Sequence, residues 1–219
     1  MGIKENLLQL KNSLPKEVTL IAVTKTYPPE IILEAYHAGH KIFGENKVQE
    51  LVDKYESLPK DIEWHLIGHL QTNKVKYIAP FVKLIHSVDS LKLLQEINKQ
   101  ALKNNRVIDC LLQIYIAKEE TKFGLDFNEA EKLLAAEEFK KLQNINIVGL
   151  MGMATNSNNE DQIKNEFQSL NIFFQKLQTT NDKLQTLSSG MSSDYTIAIT
   201  EGSTMIRVGS LIFGTRNYE

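Results

Sequence analysis

The sequence predicts an α/β protein of the (β/α)8 TIM-type barrel class, a single domain over residues 1–219. Three observations carry that expectation. Eight short β-rich runs alternate with helix-like segments along the whole length, the order of a parallel sheet covered by helices. They recur at roughly 27 residues per unit, compact for a fold whose common size is about 250 residues. No stretch rich in Pro, Gly or Ser divides the chain, so no linker interrupts the alternation. A doubly wound sheet is the alternative architecture.

The elements follow in order. Residues 2–13 alternate charge with Leu and predict a surface helix, with no apolar run suited to a signal peptide or a membrane anchor. Strands are expected at 18–23, 41–43, 62–67, 82–86, 107–116, 147–151, 186–188 and 204–208. Among the helices between them, Asp89 is expected to cap a segment that carries Leu91, Leu94, Ile97 and Leu102 on one face. Asn128 with Glu131 resembles a capping box. Ile163, Phe167, Leu170, Phe174 and Leu177, spaced four, three, four and three, form one stripe for a helix to bury against a barrel. The polar stretch 155–161 reads as a loop.

Composition excludes several functions. With 25 Lys and Arg against 27 Asp and Glu, the chain lacks the basic excess that nucleic-acid binding uses. The single cysteine, Cys110, sits in an apolar run, reads as a small buried hydrophobe and suits a reducing, cytoplasmic compartment. The chain is expected to be a monomer that touches neither nucleic acid nor membrane. It contains no G-x-G-x-x-G, P-loop or G-x-S-x-G pattern. His65 and His69 are four apart, but Gly68 points to a strand leaving into a turn, so metal binding is not expected.

In a barrel, chemistry gathers at the C-terminal ends of the strands. Four places qualify. At 22–28, Ala-Val-Thr-Lys-Thr-Tyr-Pro, a strand ends in Lys25, either a solvated surface residue or an amine nucleophile able to form a Schiff base with a carbonyl. At 188–194, Ser-Ser-Gly-Met-Ser-Ser-Asp, a glycine turn and two hydroxyls precede a helix, which makes either a phosphate cradle or an ordinary serine cap. At 204–210 a strand carries Arg207 two residues before Gly209. The pair could hold opposite ends of a small aromatic phosphate, or the arginine could salt-bridge inside the barrel. At 43–46, Phe-Gly-Glu-Asn offers polar groups to orient a ligand, or a strand-to-helix cap.

Seven ordered stretches carry a resemblance: AVTKTYP at 22–28, FGENKVQE at 43–50, WHLIGHLQTNK at 64–74, KFGL at 122–125, GLMGMA at 149–154, SSGMSSD at 188–194 and GSTMIRVGSLIFGTR at 202–216. By these the chain resembles the YggS/PROSC family of pyridoxal 5′-phosphate (PLP) homeostasis proteins, whose barrel is like the N-terminal domain of alanine racemase. The resemblance implies that Lys25 forms a Schiff base with PLP. It implies further that Ser192, Ser193, Gly209 and Ser210 hold the phosphate and that Arg207 faces the pyridine nitrogen. Asn46 and His65 match pocket-lining positions, and Met151 and Met153 would add wall. Tyr115, where the family suggests Asn, and Ser189, where a larger apolar residue is common, depart from the pattern.

Two functions from different classes are then expected to compete. One is an intracellular PLP carrier or buffer, with apo PLP-dependent enzymes as possible recipients. The other is a PLP-dependent amino-acid racemase. The resembling racemases carry a second, β-rich domain that donates a tyrosine base, and the chain given ends at Glu219, so a carrier is expected. A phosphosugar-binding barrel with a structural Lys25 is the third possibility.

Overall fold

The computed structural model describes residues 2–118 and 123–214, so Lys122 and residues 215–216 of the quoted stretches lie outside it. Eight strands form the sheet: β1 (Thr19–Val23), β2 (Ile42–Glu45), β3 (Glu63–Leu66), β4 (Leu84–Val88), β5 (Ile108–Ile114), β6 (Ile145–Gly152), β7 (Thr186–Ser188) and β8 (Met205–Val208). They pair in sequence order, all parallel, into a closed barrel. Closure is made where Leu20 lies opposite Ile206 and Ala22 opposite Val208. That pairing removes the doubly wound alternative, whose sheet stays open.

Helix α1 (Ile3–Ser13) precedes the barrel, and α2 (Pro29–His37), α3 (Val48–Ser57), α4 (Val75–Ile78), α5 (Leu91–Lys103), α6 (Phe127–Ala135), α7 (Glu137–Lys140), α8 (Glu160–Gln178), α9 (Tyr195–Thr200) and α10 (Ser210–Phe213) follow their strands. The stripe on α8 is buried as its spacing requires, from Ile163 to Leu177. Each such side chain taken from water contributes about 1.5–3 kcal/mol. No helix among the described residues is long and apolar enough to cross a membrane.

Two caps differ from expectation. Helix α5 is capped by Ser90, whose hydroxyl accepts the Leu93 N–H, while Asp89 lies 3.5 Å from His69 Nδ1. The box on α6 is formed by Asp126 and Glu129, two residues earlier than Asn128 and Glu131, and Glu131 pairs with Lys176 on α8 instead. A cap needs extended backbone as well as the right side chain, and Asp126 has it at φ −71°, ψ 169°.

Inside the barrel a small apolar cluster of Ile21, Leu84, Leu111, Met151 and Met205 is separate from the larger core between strands and helices. Gly149 lets β6 approach β7, since a Cβ there would lie 1.7 Å from the Thr186 carbonyl oxygen. Cys110 is fully buried, and burial pushes its thiol up, which leaves it a packing residue.

Candidate functional site

The C-terminal ends of β1, β2 and β8, with the turns after β3, β6 and β7, surround a cavity of about 550 Å³. Lys25, two residues past the end of β1, lines it. So do Asn46 after β2 and Arg207 on β8. Ser192 and Ser193 enter from the turn after β7, and Gly209 and Ser210 from the turn after β8. Val23, Ile67, Met153 and Met191 supply apolar wall.

The hydroxyl turn is shaped by glycine and a buried aspartate. Gly190 has φ +93°, which disfavours any side chain, and its carbonyl accepts the Arg207 N–H at 3.0 Å. Asp194, 4% exposed, accepts the Met191 N–H at 2.6 Å and so folds the Met191–Asp194 turn back on itself. The result brings Ser192 Oγ within 3.3 Å of the Gly209 N–H, joining the two turns. Two hydroxyls and the backbone of two turns thus meet at the cavity wall, with the Gly209 N–H given to Ser192 Oγ.

Arg207 is buried, and its guanidinium donates to the Ser188 carbonyl at 2.9 Å, the Ser188 hydroxyl at 2.7 Å and the Gly152 carbonyl at 3.1 Å. Burial pulls it down to about 10, opposed by the charge of Asp194, so it stays cationic at neutral pH. From Ser188 a polar chain continues through the barrel interior. His86 Nδ1 lies 3.1 Å from Ser188 Oγ, and His86 Nε2 lies 2.9 Å from His65 Nδ1.

Two expected wall residues lie elsewhere. His65 and Met151 face the barrel interior and do not line the cavity; His65 borders a smaller opening near Glu63, Lys83 and Asp109. The reason is the two-residue period of a strand. Glu63 and His65 line the lower opening with Ile67 two residues further on at the cavity, and on β6 the interior residues are Val148 and then, past a register shift, Met151 and Met153. Ile67 and Met153 therefore hold the cavity layer, about 6.6 Å further along. Counting two residues on from His65 would have found Ile67; Met191 carries no comparable signal. Among the described residues no group of three or more His, Cys, Asp and Glu could hold a metal ion.

This is a closed parallel barrel with a lysine and two serine-bearing turns around a cavity at its C-terminal mouth, and residues 2–217 match the family model of the alanine racemase N-terminal domain. The chain belongs to the family of pyridoxal phosphate homeostasis proteins. It is 44% identical over 201 residues to the protein of that name from Aquifex aeolicus, covering 91% of this chain and 87% of that one. The protein of that name from Escherichia coli K12 is 36% identical, with 99% and 97% covered. PipY of Synechococcus elongatus, 37% identical, superposes at TM-score 0.92 without PLP, covering 97% of this chain and all of PipY, and at 0.88 with PLP bound. Alanine racemase of Clostridium difficile superposes at TM-score 0.79 with 16% identity over 58% of its length, a likeness of fold.

Proposed function

We propose that this protein binds PLP in the cavity at the C-terminal mouth, holds it reversibly as a Lys25 Schiff base, and releases it to apo PLP-dependent enzymes. One observation carries the reading: an amine, a hydroxyl-and-amide cradle and a buried cation share one cavity of about 550 Å³. The donor set fits the group, because PLP carries an aldehyde, a phosphate and a pyridine nitrogen. PLP-bound PipY, at 37% identity over nearly the whole chain, supports it.

Bound there, PLP supplies an aldehyde that a primary amine takes up as an imine with loss of one water. Lys25 provides that amine. Ser192, Ser193 and the backbone of Gly209 and Ser210 would hold the phosphate, and Asn46 lines the same cavity. Arg207 offers N–H groups and a fixed positive charge to the ring nitrogen, which disfavours a proton there. A ring left unprotonated is a weak sink for electrons, and this favours holding the cofactor over running chemistry on it.

Borohydride reduction followed by peptide mass spectrometry tests the reading. The pyridoxyl adduct is expected on Lys25 and should be absent from a folded Lys25→Ala variant. An adduct on another lysine overturns the site. Saturable racemisation of alanine or serine that disappears in Lys25→Ala overturns the carrier role in favour of the racemase.

A further inference from the structure

Lys25 is followed by a backbone anomaly. Thr26 has φ 70°, in the left-handed region that a β-branched residue rarely adopts. Something must hold the turn there, and helix α3 does so from outside the barrel. Glu50 Oε1 accepts the Thr26 N–H at 2.5 Å. Lys54, 4% exposed, places its three N–H groups on the Thr24 carbonyl at 2.8 Å, Glu45 Oε1 at 2.7 Å and Glu50 Oε1 at 2.7 Å. The Thr24 hydroxyl in turn donates to Glu45 Oε1 at 2.5 Å. The carbonyl just before Lys25 and the amide just after it are therefore both clamped.

Stability alone is a poor reason for this cluster. Burying an ammonium with carboxylates costs solvation that well-packed apolar residues avoid, and Glu45 Oε2 is buried with no hydrogen-bond partner among the described residues. What the ions provide is direction. They fix two backbone groups in an otherwise disfavoured turn, and functional sites are where such strain is retained.

We propose that Glu50 and Lys54 are positioning residues for Lys25, holding the turn after β1 in the left-handed conformation that presents the amine to the cavity. The inference rests on the reading of Lys25 as the carbonyl-binding amine. It assigns the Glu50 carboxylate and the Lys54 ammonium to that turn rather than to the ligand.

The test compares two ligands on Glu50→Ala. PLP capture is followed by the absorbance of the covalent adduct. Pyridoxine 5′-phosphate, which has an alcohol in place of the aldehyde, is followed by calorimetry. Capture of PLP should weaken about ten- to a hundredfold, as for loss of a charged hydrogen bond. Pyridoxine phosphate should bind as to the wild type. Adding Thr26→Gly should restore most of the capture, because glycine takes positive φ at no steric cost. Parallel loss of both ligands, no loss of either, or no rescue by Thr26→Gly overturns the proposal. Glu50→Gln, which keeps an acceptor for the Thr26 N–H, must capture PLP better than Glu50→Ala, and the reverse order also overturns it. Mapping the wild-type adduct separates the two levels. An adduct away from Lys25 removes both readings, whereas an adduct on Lys25 with an unaffected Glu50→Ala removes only this one.

Discussion

Acid should destabilise this protein through histidines that the fold keeps neutral. His40, His65 and His86 are 3%, 4% and 0% exposed. Burial, reinforced by Lys11, pulls His40 down to about 4 against the backbone bond to Ile42. Burial, with Lys83 adding, takes His65 to about 3. Burial, then His65 and Arg207, holds His86 well below its ordinary value. All three folded values are depressed, so the stability is fully present above the unfolded value near 6.5 and is lost as pH falls towards the folded values. At pH 4.5 the unfolded chain has taken protons that the folded chain refuses, at a cost of about 2–3 kcal/mol each for His40 and His65. Their sum of about 5 kcal/mol rivals the whole stability of many domains. Glu45 works in the opposite sense, because burial raises its carboxyl and its contribution is lost as pH rises. The informative quantity is therefore a difference between variants. Urea unfolding of wild type and His40→Gln, followed from pH 7.5 to 4.5, should show a pH slope shallower by up to about 1.4 kcal/mol per unit in the variant. Identical slopes would refute the reasoning.

Two further outcomes follow from the cradle and the barrel wall. Replacing Ser192 and Ser193 by Ala should weaken PLP binding by about 1.5–3 kcal/mol per hydroxyl, roughly ten- to a hundredfold each, and leave pyridoxal almost unaffected; calorimetry with both ligands checks this, and equal weakening would remove the phosphate role. Gly149→Ala should destabilise the barrel by about 3 kcal/mol in urea, because the new Cβ would meet the Thr186 carbonyl oxygen at 1.7 Å; a shift below about 1 kcal/mol would mean that β6 and β7 separate freely.

The barrel was legible because short β-rich runs alternate with helical segments along the whole chain, and the α8 stripe because its spacing admits one geometry. The caps were less so. Ser90 beside Asp89, and Asp126 two residues before Asn128, are chemically interchangeable on paper, and only backbone angles choose between them. Lys25, Ser192 and Arg207 stood out as reactive or charged groups at strand ends. His65 and Met151, matched to pocket-lining positions by resemblance, lie one inward layer below the residues that line the cavity. The clamp on Lys25 was invisible for another reason: Lys54 reaches back 30 residues to the Thr24 carbonyl, and no local pattern announces such a contact.

The row of polar groups beneath the cavity has a built-in direction. A guanidinium can only give hydrogen bonds, so at Ser188 Oγ the Arg207 N–H occupies a lone pair. Of the two side chains on that oxygen, His86 alone can receive the hydroxyl's own hydrogen, through Nδ1. That choice puts the His86 proton on Nε2, which gives it to His65 Nδ1 and leaves the His65 proton on its own Nε2. Each ring's tautomer is thus dictated by an arginine it never touches, or touches only through a neighbour. Four side chains line up head to tail, like aligned compass needles, from the mouth of the barrel towards its opposite end. Turning His65 round would set its Nδ1–H against the His86 Nε2–H, and turning His86 round would leave the Ser188 hydroxyl hydrogen with neither side chain to receive it.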